Sequence, residues 1–160
     1  MEDTNLVELW IKRDNIRLVA GFLAGVFAAA CAAIVGGIIA SAHGMEFFFP
    51  VKLLGTVLLG PDATEYSYAP GLGAGLAVLG FICVFWGVIY AHFTKTNALS
   101  ALLPMGVVWG LFSWIFIWNL FLPSFNTIKA AGISAGPALA VCLAYGIGLA
   151  SVSMFDRLMR

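Results

Sequence analysis

Residues 17–42 read RLVAGFLAGVFAAACAAIVGGIIASA, an apolar run that carries no charge after Arg17. At about 1.5 Å per residue a helix of this length exceeds a hydrocarbon core of roughly 30 Å, so the run is expected to cross a bilayer with some tilt. Gly21, Gly25, Ala29, Ala33 and Gly37 recur every four residues, and Ala28, Ala32, Gly36 and Ala40 form a second small-sided ridge beside them. In a bilayer lipid solvates Leu as well as protein does, so helices associate by close packing across rows of small residues. A matching row, Gly132, Gly136, Ala140, Ala144 and Gly148, lies in the last apolar segment. The two rows predict a tight, crossed contact between the first and last spans.

Composition agrees. The 160 residues are 62% hydrophobic and 10% charged, with a mean hydropathy of +1.00, which is the signature of a polytopic membrane protein. The formal net charge is zero and no basic cluster with interleaved aromatics occurs, so nucleic-acid binding has no electrostatic basis. Ala40-Ser41-Ala42 has the form of a signal cleavage site, but the run before it is longer than a signal's apolar core, and the segment is expected to be retained.

Working outward, residues 1–16 mix Trp10 and Leu9 with charges and suit a short interfacial segment. Residues 44–70 hold an apolar stretch around Phe47 to Leu59, too short to span, started by Pro50 and stopped by Gly60-Pro61. It reads as an interfacial or re-entrant segment followed by a turn. Further spans are predicted over 72–93, 99–122 and 133–155, with residues 156–160 as a charged tail. Only Thr94 to Asn97 separates the second and third spans, which predicts an antiparallel hairpin, and Pro104 is placed near the first turn of the third. The fold class is therefore all-α, a four-transmembrane-helix bundle with a short interfacial helix between helices 1 and 2.

No acidic, basic or histidine side chain falls in the middle of a predicted span, which disfavours an ion-coupled transporter. His43 and His92 fall at opposite ends of the bundle and cannot share one haem iron. Cys31, Cys83 and Cys142 lie near the midpoints of three spans and are metal candidates, as soft ligands, with His43 the other residue a metal site could use; the commoner role of such thiols is that of small hydrophobes. In the third span Trp114 and Trp118 share a face with Phe121 and Phe125, next to Asn119. These are the cofactor-binding candidates, for a quinone, pigment or lipid, against an aromatic belt or subunit contact. No CxxC, HExxH, GxSxG or P-loop pattern is present, and no enzyme is expected.

Phe49-Pro50, Leu53 to Leu59, Gly60-Pro61-Asp62-Ala63 and Tyr90-Ala91-His92-Phe93 together resemble a group of uncharacterised bacterial four-helix integral membrane proteins. The resemblance implies a topology and no active residue. Lys12, Arg13, Arg17, Lys95, Arg157 and Arg160 fall on one side, against Lys52 and Lys129, so both termini are expected in the cytoplasm and the chain in a bacterial inner membrane. The expected function is a non-catalytic accessory subunit packed with other membrane subunits and lipid, in a complex of respiratory, photosynthetic or oxygenase type. A homo-oligomeric channel or carrier for a neutral solute or lipid is the first alternative, and a metal- or redox-cofactor protein the second. Bound lipids are expected, with no other cofactor.

Overall fold

The structure is a computed structural model that describes residues 14–64, 68–117 and 135–160. Among these it is all-helical: α1 Asn15–Ala42, α2 Phe49–Leu59, α3 Tyr68–Phe93, α4 Leu99–Phe116, α5 Ala135–Leu149 and α6 Val152–Met159, with a 3-10 turn at Pro61–Thr64. Four helical stretches are long and apolar enough to cross a membrane: α1, α3, α4, and α5 continued by α6.

Local chemistry sets the ends. The Asp14 carboxylate accepts the Arg17 backbone N–H at 3.1 Å and caps α1. After α1 the chain turns at Gly44, with φ of +74°, and α2 stops at Gly60, with φ of +81°, both in the region that only glycine enters freely. Pro50 occupies the first turn of α2, where its missing N–H costs nothing. The third helix opens earlier than the expected residue 72 and takes Pro70 into its first turn for the same reason. Pro104 lies inside α4, beyond its first turn.

Close packing links the spans in the order α3, α1, α5, α4. On α1 the two small-residue ridges face two different neighbours. Gly21 and Gly25 meet α3, where an added Cβ would lie 2.8 Å from Gly87 O and 2.7 Å from Cys83 O respectively. Ala28 meets α5, whose Gly148 leaves room for a Cβ only 2.9 Å from the Ala28 Cα. Successive residues on a helix point about 100° apart, so adjacent ridges serve two flanking helices rather than one partner. Gly36 continues toward Val141 of α5 and Pro50, whereas Gly37 faces the Phe47 ring. The expected single seam between the first and last spans is thereby divided.

On α5, Gly146 is the residue that admits α4: its missing side chain lets Gly106 O and Gly110 come against it. Gly136, from the predicted row, has no atom within 4 Å of an added Cβ; Ala140 and Ala144 are half-buried, and Gly132 lies outside the described residues.

The α3 and α4 helices run antiparallel beside each other as the short connection predicts, and they meet through side chains rather than close backbones. Aromatic bulk holds them apart: Trp86 lies edge-on to Trp109, Phe112 and Phe116, at centroid distances of 5.8, 5.8 and 5.4 Å. The Tyr90 hydroxyl bridges the gap nearer the loop by donating to Leu102 O at 3.0 Å.

The last span is interrupted at Ala150 and Ser151, whose N–H groups bond three residues back to Ile147 and Gly148. The tightened turn redirects the chain into α6, which packs against α1. The charged tail of residues 156–160 is therefore largely the end of α6, with Asp156 buried and Arg157, Leu158 and Arg160 exposed. The bundle core is made of Ala20, Ala24, Ala28 and Ala32 of α1 with Cys83, Tyr90, Leu102, Tyr145 and Leu149. Alanine dominates because the backbones approach too closely for anything larger.

Candidate functional site

Toward its His43 end the bundle opens. A cavity of about 230 Å³ lies among the helices there. Its walls are Ala32, Ala33 and Gly36 of α1, Leu79, Ile82, Cys83 and Trp86 of α3, Ser113 and Ile117 of α4, and Pro137, Ala138, Val141, Cys142 and Tyr145 of α5. Met45 and the first turns of α2, from Phe49 to Leu54, cover its end. The short apolar helix thus lies across one end of this space. It is held over the bundle by packing on α3, where Gly55 stands against Gly71 O and Gly75 against Val51 O.

The lining is apolar, without a charged residue among those described. A cavity of about 150 Å³ lined by Leu, Ile and Phe stays dry and admits benzene, so this one has room for a larger apolar body. Its polar atoms are few. The Tyr145 hydroxyl donates to Cys83 O at 2.8 Å. Ser113 is 2% exposed, and its hydroxyl has no hydrogen-bond partner among the described residues. The Cys83 and Cys142 thiols are free and buried.

At the opposite end the helices are fastened by charge. The Arg17 guanidinium lies 3.6 Å from the Asp156 carboxylate, and both side chains are almost wholly enclosed. Arg17 donates from Nε to Thr94 O at 3.1 Å, and from Nη2 to Thr94 O and Thr96 O, both at 2.7 Å. Its Nη1 donates to Asn97 Oδ1, whose amide in turn donates to Asp156 Oδ2 at 2.7 Å. Arg160 bonds Asp156 at 3.0 Å and pairs with Asp14. One network therefore ties the start of α1, the α3–α4 connection and the end of α6. The Arg17 N–H and the Arg160 guanidinium hold the Asp14 carboxyl below its ordinary range, and both carboxylates raise Arg160 above its own. All three guanidinium nitrogens of Arg17 are engaged, while Asp156 Oδ1 has no hydrogen-bond partner among the described residues.

Of the residues singled out in the sequence, Cys83 and Cys142 come together on the cavity wall, while Cys31 is half-buried and does not line it. Among the described residues no group of three potential ligands could hold a metal ion. Trp114 is half-buried and turns to α5, its indole N–H donating to Ala135 O at 3.2 Å. Trp118 and Asn119 lie outside the described residues. His43 is bonded through Nδ1 to Ile39 O at 2.8 Å, and Glu46 pairs with Lys52 at 2.7 Å beside the cavity roof.

Ser113 and Trp86 were not singled out from the sequence as site residues. The signal that could have found Ser113 is a hydroxyl in the middle of the apolar, aromatic third span, whose other serine, Ser100, sits at its start. No family model, no curated protein and no solved structure matches the chain.

Proposed function

We propose that this chain is a non-catalytic multi-pass membrane protein that holds one apolar, lipid-like molecule between its helices. The observation that supports this most is the apolar cavity built by all four spanning helices and roofed by α2. Water is a poor occupant, because it needs two to four polar partners and the lining offers few. A molecule drawn from the surrounding bilayer meets no such obstacle. Its transfer from hydrocarbon to an apolar cavity gains little from the hydrophobic effect, so retention depends on shape and contact. With both termini in the cytoplasm, as the charge distribution favours, the cavity belongs to the outer half of an inner membrane.

A second role, as an accessory subunit of a larger membrane assembly, is favoured by α4. Among the described elements that helix packs its backbone closely on α5 alone, and it presents Leu103, Val108 and Leu111 outward. Native mass spectrometry of particles extracted in mild detergent tests both readings. A small-molecule adduct of constant mass supports the first, and other polypeptides in fixed ratio support the second. A particle of bare chains without adduct contradicts both and turns attention to a homo-oligomeric carrier or channel.

A further inference from the structure

At the end of the bundle opposite the cavity, α3 and α4 enclose a second space. Aromatic bulk keeps the two helices apart, and an open groove of about 280 Å³ runs between them. Its floor is made by Tyr90 and Trp109, whose rings meet edge-on with centroids 5.7 Å apart. Phe93 of α3 and Met105 and Val108 of α4 are its exposed rims, and Thr94, where α3 gives way to the connection, stands at its end.

In a bilayer such a groove is filled from the membrane. Left empty, its walls forfeit dispersion contacts that a hydrocarbon chain laid along it restores. Contact alone does not choose one phospholipid over another, because all offer the same chains.

Charge supplies the choice. The groove ends at the α3–α4 connection, where Arg157 of α6 donates from Nη2 to Asn97 O at 3.1 Å and Lys95 is exposed. The carboxylates described at this end, Asp14 and Asp156, are engaged by Arg17 and Arg160, and Arg157 pairs with neither. Met154 and Leu158 are exposed beside Arg157 on α6, and apolar side chains flanking a cation suit the boundary between headgroups and acyl chains. A basic site next to a gap between spanning helices has the two parts that an anionic headgroup and its chain require. An acidic protein segment would meet the cation and leave the groove empty.

We propose that the α3–α4 groove seats one acyl chain of an anionic phospholipid whose phosphate pairs with Arg157, with Lys95 adding to the positive field. A zwitterionic lipid carries its own cation beside the phosphate and gains less from that field. With both termini in the cytoplasm the site faces the inner leaflet, whose surface is negative. It is separate from the outer cavity and does not depend on what that cavity holds.

The test titrates the full chain, delipidated in a non-ionic detergent, with phosphatidylglycerol or phosphatidylcholine of identical chains, and counts bound lipid by native mass spectrometry. The first phosphatidylglycerol is expected to bind several-fold more tightly than the first phosphatidylcholine. Arg157→Gln should weaken phosphatidylglycerol about fivefold and barely move phosphatidylcholine, while Arg157→Lys keeps most of the preference. Met105→Trp, which fills the groove from its rim, should weaken both lipids. These positions are exposed, and circular dichroism confirms that each variant is folded. Equal binding of the two lipids to wild type overturns the proposal. A preference that survives Arg157→Gln overturns the pairing with Arg157, and binding untouched by Met105→Trp overturns the chain's place in the groove. Equal competition by glycerophosphoglycerol, the same headgroup without chains, overturns the lipid as the source of the phosphate in favour of a water-soluble phosphodiester.

Discussion

Arg17 at the start of α1 and Asp156 in α6 lie 3.6 Å apart, each side chain at or below 5% exposure. The pair joins the two ends of the described chain, and Asn97 in the connection between α3 and α4 bonds both. Four helices are thus gathered at one end, while small residues set the middle and the cavity occupies the other end. Removing one member of a buried pair strands the other, at a cost of about 3–5 kcal/mol, whereas removing both is far milder. Asp156→Ala is expected near the lower bound, since Arg17 keeps carbonyl partners, and the Arg17→Met/Asp156→Leu double variant should recover much of the loss. Thermal unfolding in detergent measures this as a double-mutant cycle, and additive single losses would refute the coupling.

The glycines divide into two classes that predict opposite outcomes. An added Cβ at Gly146 meets Gly110 Cα at 2.9 Å and presses on Gly106 O, while at Gly73, Gly80 and Gly136 it meets nothing within 4 Å. Gly146→Ala should therefore force α4 off α5 and destabilise by about 1–3 kcal/mol, the cost of overpacking. Gly80→Ala should be neutral or stabilise by about 0.5–1 kcal/mol through helix propensity. Melting temperatures of the two variants check the order.

The outer part of the polar network carries a pH dependence of known sign. Asp14 is held below the ordinary carboxylate value of 3.8 by the Arg17 N–H and by Arg160. A carboxyl depressed in the folded state contributes its stability above the unfolded value and loses it as pH falls through the folded one. Wild type should therefore melt above Asp14→Asn at pH 7, and the gap should shrink below about pH 4. A gap independent of pH would contradict the assignment.

An unpaired hydroxyl also has a stability signature. In protein stripped of lipid, Ser113→Ala removes a buried group that gains no bond within the described residues, so the variant should melt at or above wild type, by about 1 kcal/mol. A clear loss of stability would mean that Ser113 already has a structural partner.

How much of this was legible in the sequence depends on what each feature needs. The spanning helices and the short helix between the first two follow from local run length and from Pro50 and Gly60, so they could be read directly. The small-residue rows were visible too, but a period of four says that a helix comes close without saying which one. Gly21 and Gly25 went to α3, and Gly148 met Ala28 from the neighbouring ridge. Arg17 and Asp156 were readable as charges at one membrane face, while their pairing needed the break at Ala150 and Ser151 that turns α6 inward. The cavity was not legible at all. Ala138, Cys83, Trp86 and Ser113 come from three different helices, and each looks like ordinary packing until tertiary structure leaves space between them.

The central claim is that the cavity holds a guest, and the most direct measurement counts it. Wild type and Ala138→Phe, which plants a ring in the cavity from α5, would be purified from native membranes and extracted with organic solvent. Mass spectrometry then gives the amount of each lipid per chain. The account predicts one apolar species near one per wild-type chain and its loss from Ala138→Phe, with bulk phospholipid unchanged. An identical lipid complement in the two proteins, both folded, would contradict it.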